Sequence, residues 1–326
     1  MQSVSSANPC TISVIICTYN RAQSLHATLV SLNAMFVPTD LDWEILVVDN
    51  NSTDDTRGVT ERFAQGTQIN VRYVFEKHQG LNHARNAGVK AAKGELLFFL
   101  DDDVEVTKNW LLEMKKAFDL YPVVGVGGRV LIKKDLPRPS WWIGEYDNAL
   151  GKFDPGESIL LSEDTGTIGI GANLSFKRSV FDQCGNFQPN LDRYERKLFM
   201  GGDTEFARRV KAAGGLLMYY PDAIVHHCPD SSRVTKSYLR SWYFRLGEWE
   251  TQKIPPETNE AYTIFTVPRW QYRKMLEQLW QTVSLTLRGR YSEGLSYELQ
   301  SIALLGYFWG ALKNSLRRIR RFTLQR

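Results

Sequence analysis

A chain of 326 residues that is 43% apolar and 12% aromatic carries enough apolar surface for a large core, which excludes a disordered chain and a disulfide-dependent miniprotein. Forty lysines and arginines against 36 acidic residues leave a net charge of only +4, too little to point to nucleic acid, so partners must be sought in local clusters. The four cysteines, Cys10, Cys17, Cys184 and Cys228, lack the paired spacing of a zinc site and the density of a disulfide framework, and read as buried or indifferent thiols.

The polar segment Met1–Pro9 leads into a β-branched run rather than a signal-peptide core, so export is not expected. No segment reaches the roughly 20 consecutive apolar residues of a spanning helix. A cytoplasmic protein is expected, with peripheral contact at the inner membrane face left open.

In chain order, Thr11–Cys17 reads as a strand that stops at Thr18-Tyr19-Asn20-Arg21, followed by an amphipathic helix over Ala22–Met35. The pattern repeats: Trp43–Val48 ends in Asp49-Asn50-Asn51-Ser52, and Thr53–Gln65 reads as a helix. Val71–Phe75 and a helix at Leu81–Ala92 follow. Leu96–Leu100 is continuously apolar, as a strand covered on both faces should be, and breaks into Asp101-Asp102-Asp103. Further strands are expected at Gly125–Ile132, Gly166–Phe176 and Leu216–Tyr220, the last leading to His226-His227, with a loop entering a helix at Gly201–Ala213. From Tyr262 onward the pattern is helical and ends in a basic stretch. The division expected is an irregular N-terminus (1–10), a main domain (11–250) and a helical C-terminal extension (251–326).

Alternating strands and helices imply a mostly parallel sheet whose ligand site lies beyond the carboxyl ends of its strands, where the polar clusters fall. Hard oxygen ligands suit magnesium or manganese bridging phosphate oxygens, so Asp101 and Asp103 are candidate ligands. An isolated acidic triplet is more often a solvated turn or a helix cap; convergence with the other loops favours the site.

The ordered set Ser13–Arg21, Val47–Asp54, Gln79–Gly88, Asp101–Asp103, Gly202–Phe206 and His227 resembles the family 2 glycosyltransferases, over roughly Thr11 to Gly247. The resemblance implies an α/β GT-A fold, Rossmann-like, with a mostly parallel central sheet flanked by helices. It also implies inverting transfer of a sugar from a nucleoside-diphosphate donor to a hydroxyl of a glycan or lipid-linked acceptor, in polysaccharide or glycoconjugate synthesis, with Mn2+ or Mg2+ as cofactor. Under it, Thr18, Tyr19, Asn20, Arg21 and the pair Asp49-Asn50 bind the donor nucleotide, and Arg85 steadies its nucleotide side. Asp101 and Asp102 meet the donor, and Asp101 and Asp103 hold the cation with His227 as a further metal ligand or diphosphate contact. Asp203 is the general base, near the positive end of its helix.

Gly171 and Asn173 match the place where relatives contact the sugar or acceptor, with Gly202 and Glu205 beside the base; strand packing and helix capping account for these residues too. Asn50 replaces a usual aspartate and Gly202 a usual glutamate. Trp141 and Trp142 are candidates to stack on sugar rings, or are core or membrane-interface groups. Ile302–Arg321, with Lys313, Arg317, Arg318, Arg320 and Arg321, reads either as a helix on an anionic leaflet or as one packed on the main domain. A glycoside hydrolase would need neither metal nor nucleotide crevice, and a binding subunit without chemistry would not need the set Asp101, Asp103, Asp203 and His227.

Overall fold

The computed structural model describes residues 11–161, 168–189, 202–251, 263–264 and 267–324, with side chains for all of these but 263–264 and 317–324. Met1–Cys10, Gly166, Gly201 and the side chains of Arg317, Arg318, Arg320 and Arg321 lie outside the described set.

The first compact unit comprises Met1–Leu136 and Gly151–Pro229. It opens as three strand-helix repeats: β1 (Ile12–Thr18), α1 (Ala22–Asn33), β2 (Trp43–Asp49), α2 (Thr56–Gln65), β3 (Asn70–Phe75), α3 (Leu81–Ala91), and then β4 (Leu96–Asp101). Next come β5 (Val104–Val106), α4 (Trp110–Leu120), β6 (Gly125–Ile132), β7 (Leu160–Leu161), β8 (Asn173–Lys177), α5 (Ser179–Cys184), α6 (Gly202–Ala212) and β9 (Leu217–His227). The sheet runs β3-β2-β1-β4-β8-β6-β9-β5, with β7 added against β9. β3, β2, β1 and β4 are mutually parallel, β8 is antiparallel to both β4 and β6, and β6 and β9 are parallel. The α/β class agrees with the sequence pattern, and the parallel block β3-β2-β1-β4 is the expected one; the antiparallel β8, β5 and β7 make the rest of the sheet mixed.

Burial explains the strand sequences. Val14, Ile16, Ile45, Val47, Phe98 and Leu100 enter one core with Leu25, Leu29, Trp110 and Met114, while Ile15, Leu46, Val48, Leu97 and Phe99 enter a second with Phe176, Phe181 and Phe206. Each fully buried side chain of this kind contributes about 1.5–3 kcal/mol. β4 faces both cores, which is why it lacks polar alternation.

Several boundaries differ from expectation. α2 starts at Thr56 rather than Thr53, because Asp54 turns the chain: Oδ1 accepts from Thr56 N and Oγ1, and Oδ2 accepts from Ala22 N. The strand expected over Gly166–Phe176 is paired only from Asn173, where a turn bond from Asn173 N to Ile170 O ends. β9 runs unbroken through eleven residues to His227, so the last strand and the histidine pair are one element. α4, α5, β5 and β7 were not anticipated.

The second unit comprises Pro137–Leu150 and Asp230–Arg326. It holds α7 (Lys236–Glu250), a short hairpin of β10 (Thr263–Ile264) and β11 (Val267–Pro268), α8 (Arg269–Leu287) and α9 (Tyr291–Leu324). α7 and α9 meet backbone to backbone. A Cβ on Gly247 would stand 1.8 Å from Ala303 O, and one on Gly306 would stand 1.9 Å from Phe244 O.

At the amino ends of the parallel strands, Glu44 is fully buried and joins four segments. Oε1 accepts from Ser13 Oγ and Lys93 N, both at 2.7 Å, and Oε2 accepts from Arg72 Nη1 at 2.8 Å. Burial alone would raise the carboxyl, but these hydrogen bonds, Ser13 first and then Arg72, outweigh it and hold it below the usual glutamate range. Because the folded value is lowered, the stability contributed is complete above the ordinary glutamate value and lost as pH falls through the folded value. Glu44→Ala is expected to cost about 3 kcal/mol in denaturant unfolding at neutral pH. The gap between wild type and Glu44→Gln should narrow as the buffer is acidified; a gap constant with pH would overturn the account.

Candidate active site

The site is assembled at the carboxyl ends of β1, β2 and β4. Thr18, the last residue of β1, is buried and in register with Asp49, the last of β2. Beyond it the chain turns through Asn20, whose φ of +52° is the left-handed conformation that asparagine tolerates. Asn20 Oδ1 accepts from Thr53 N at 2.7 Å and Asn20 N donates to Ser52 Oγ at 2.9 Å, so the loops after β1 and β2 brace each other. Asp49 Oδ1 accepts from Ser52 N at 2.8 Å and Oδ2 from the Tyr73 hydroxyl at 2.7 Å. Burial, then Asp49, pushes the Tyr73 phenol up, so it stays a donor. Tyr19 projects outward, 47% exposed.

Next to this pair of loops, β4 ends in three carboxylates. Asp101 is half-buried, whereas Asp102 and Asp103 are each 5% exposed. Arg21 Nη1 reaches Asp102 Oδ1 at 2.9 Å and Asp103 Oδ2 at 2.7 Å. The other Asp103 oxygen lies 2.9 Å from His227 Nε2. That contact follows from the sheet: β5 pairs antiparallel with β9, Val104 opposite His227, and Cys228 N donates to Asp103 O at 2.7 Å. Burial, then the neighbouring Asp103, pushes the Asp102 carboxyl up to about 6 against the pull of Arg21. Ligand atoms of Asp101, Asp103 and His227 all lie within 4.8 Å of one another. Two carboxylates and one imidazole are a donor set that suits a divalent cation such as manganese, so these residues fit the ion that the sequence implies.

β8 runs antiparallel beside β4 with Asn173 opposite Leu100, which brings Gly171 to the level of the acidic triplet. Gly171 N donates to Asp203 Oδ2 at 2.9 Å, and Arg85 Nη1 holds Asp203 Oδ1 at 2.5 Å. A Cβ on Gly171 would stand 1.9 Å from Arg85 Nη2 and 2.9 Å from Asp203 Oδ2, so only glycine admits this clamp. Asp203 follows Gly202 at the start of α6. Phe206, less than one turn later, is wedged against Phe176, Phe181 and Phe187 with ring centroids 4.9, 4.8 and 4.6 Å away. The Arg85 guanidinium lies over Phe187, 5.4 Å from its centroid.

Several residues have other duties than the sequence suggested. Arg85, expected to steady the nucleotide side of the donor, braces Asp203 directly. The Asn50 amide is spent on the chain itself: Nδ2 donates to His78 O and Glu76 O, and Oδ1 accepts from Gly80 N. Asn173 is fully buried, with Oδ1 accepting from Trp110 Nε1 and Nδ2 donating to Arg129 O and Ala223 O, so it pins the sheet and offers nothing to a sugar. Both Glu205 oxygens pair with Arg209 one turn on. Trp142 is a core residue of the second unit, its indole N–H given to Asp147, and Trp141 beside it lies beneath Lys236. Cys17, Cys184 and Cys228 are half-buried thiols; Cys10 lies outside the described residues.

Two residues of the Gln79–Gly88 motif carry weight that the sequence did not reveal. Asn86 exchanges two bonds with the Phe187 backbone, and Asn82 Nδ2 donates to Gln188 O at 2.9 Å. Their four-residue spacing on α3 was the available signal of a shared partner.

Comparison with known proteins bears on the fold and the family. The protein is similar to the succinoglycan biosynthesis protein ExoM of Rhizobium meliloti, 28% identical over 240 residues that make up 73% of each chain. It is also similar to a glucosyl-dolichyl phosphate glucuronosyltransferase of Haloferax volcanii, 26% identical over 221 residues, 66% of this chain and 68% of that one. In fold it resembles a mannosyltransferase from Pyrobaculum calidifontis solved with GDP-mannose and Mn2+, with a TM-score of 0.61 and 18% identity, covering 95% of this chain and 88% of the other. Residues 13–185, more than half of the chain, match the model of glycosyl transferase family 2, and with the GT-A architecture and acidic strand end in place, the chain belongs to that family and is a glycosyltransferase.

Proposed function

We propose that the protein is an inverting, metal-dependent transferase that moves a sugar from a nucleoside-diphosphate sugar to a hydroxyl of a glycan or lipid-linked acceptor. The observation that carries this reading is the meeting of Asp101, Asp103 and His227 at the end of β4, together with Asp203 clamped at the start of α6 by Arg85 and the Gly171 N–H. Participation of two relatives in succinoglycan synthesis and in sugar transfer to a dolichyl-phosphate-linked acceptor, as their names state, supports a cell-surface or lipid-linked glycan product.

In this reading Asp101, Asp103 and His227 would hold Mn2+ or Mg2+, which when bound would supply Lewis-acid neutralisation of the leaving diphosphate. Thr18, Tyr19 and Asp49 line the nucleotide end. The Asn50 amide is committed to the loop and both Asp49 oxygens already accept from Ser52 N and Tyr73, so base recognition falls chiefly to backbone groups of the loops. Asp203, held at both oxygens so that its free lone pairs keep one direction, takes the proton of the acceptor hydroxyl. The hydroxyl oxygen bonds to the anomeric carbon as the bond from that carbon to the diphosphate oxygen breaks, which inverts the centre. Arg85 and the Gly171 N–H are positioning groups for the base, and Arg21 keeps the adjacent carboxylates tolerable to one another.

Asp203→Asn is expected to lower kcat by about 10²- to 10⁴-fold while leaving nucleoside-diphosphate binding measurable by calorimetry; near-normal turnover would remove Asp203 as base. A thermal-shift panel of nucleotide sugars should show one donor raising Tm in the presence of Mn2+ and failing to do so with chelator or in His227→Ala. Equal stabilisation in all three conditions would dissociate the cluster from metal. Gly171→Ala should reduce kcat more than it raises KM, since its methyl group displaces Arg85 and Asp203; unchanged kcat would refute the clamp.

A further inference from the structure

The last two helices form an antiparallel hairpin within the second unit. Tyr272 of α8 stacks on Phe308 of α9 with ring centroids 4.7 Å apart, and Gly294 near the start of α9 lies against Thr282 and Thr286 near the end of α8. Away from this seam, α8 displays Leu276, Leu279, Trp280, Val283 and Leu287, which are 45% to 82% exposed. α9 displays Leu305, Trp309, Leu312 and Leu316, also exposed, at successive steps of four, three and four residues. At about 100° per residue, each stripe lies clockwise of the seam when its own helix is viewed from the amino end. Because the helices run in opposite directions, both stripes turn to one side of the hairpin. An apolar patch of this extent marks an interaction surface.

The charge around it identifies the partner. From Arg269 to Leu324 the sequence has ten lysines and arginines and three glutamates, a net +7 in a chain whose total is only +4, so the remainder of the protein is net negative. Arg269, Arg273 and Lys274 are exposed at the start of α8, and Arg288 and Arg290 at its end. Arg273 pairs with Glu277 and Arg290 with Glu293. A second copy of the chain would set one +7 hairpin against another, whereas an anionic leaflet is complementary to the basic ends and to the apolar stripes together. Among the described residues no helix is long and apolar enough to cross a membrane, so the hairpin is suited to lie on a surface.

We propose that this side of the α8–α9 hairpin docks on an anionic lipid bilayer, with Trp280 and Trp309 at the depth of the headgroups. The inference rests on the hairpin alone and not on the proposed chemistry. It is tested by flotation of the full-length protein with vesicles of phosphatidylcholine, with or without phosphatidylglycerol. The protein should float with the anionic vesicles, and less so as salt is raised. The triple variant Leu276→Gln, Trp280→Gln, Leu287→Gln should weaken partition roughly tenfold or more, and Arg269→Gln, Lys274→Gln, Arg288→Gln should do the same. All of these substitutions are at exposed positions, and an unchanged melting profile excludes misfolding as the cause; salt release of the wild type tests the idea without any variant. Absence of flotation with anionic vesicles overturns the proposal, as does partition indifferent to both triple variants. A wild-type oligomer that the apolar triple variant converts to monomer in sedimentation velocity would assign the face to a second copy and also overturn it.

Discussion

Asp102 and Asp103 sit side by side at the end of a strand covered on both faces, nearly closed to solvent, where mutual repulsion is poorly screened. One guanidinium makes this arrangement tenable. Arg21 touches both carboxylates through a single nitrogen, and it reaches them because Asn20 turns the chain in a left-handed conformation just before it. That turn is in turn fastened to Ser52 and Thr53 of the next strand-helix loop. The ends of three strands therefore depend on a counter-ion placed by one loop. His227, delivered by the pairing of β5 with β9, meets the same Asp103 from the far side of the sheet order.

The amino ends of the same strands hold a buried carboxylate differently. Glu44 is satisfied by a hydroxyl, a backbone N–H and an arginine. Its role is to hold strands in register; at the Arg21 junction Asp101 is the most exposed of the three carboxylates, while Asp103 is engaged by Arg21 on one oxygen and faces His227 with the other. Between these two ends, Asp203 is held by packing as well as by charge, since the phenylalanine cluster fixes the first turn of α6.

Much of this was legible in the amino-acid pattern. The β-branched runs of β1 and β2, the unbroken apolar β4 and the polar residues that end each strand gave the parallel half of the sheet and the location of the site, because burial on two faces leaves a mark on composition. Residue duties were less legible where partners are distant in the chain. Asn173 and Asn50 look like ligand-facing amides until Trp110, Ala223, His78 and Gly80 are brought to them by folding. Glu205 resembled part of the acceptor site, but a helical neighbour four residues away, Arg209, occupies it. The length of β9 was hidden by Pro221 and Asp222, which read as a strand end and are instead carried through the irregularity where the β6–β9 register shifts.

The glycine contacts between α7 and α9 bear on how the second unit distributes its greasy surface. Where two helices touch through Gly247 and Gly306, the seam is filled by main chain and uses almost no side-chain volume. A helix with that much leucine and aromatic content would ordinarily consume it in holding its neighbour. Here adhesion comes from close main-chain approach, and the large residues of α9 are left over for its remaining faces, one against α8 and one turned outward. The unit thus joins its helices in two ways: small residues bring α7 against α9, a ring pair joins α9 to α8, and the leucines and tryptophans outside both seams remain at the surface.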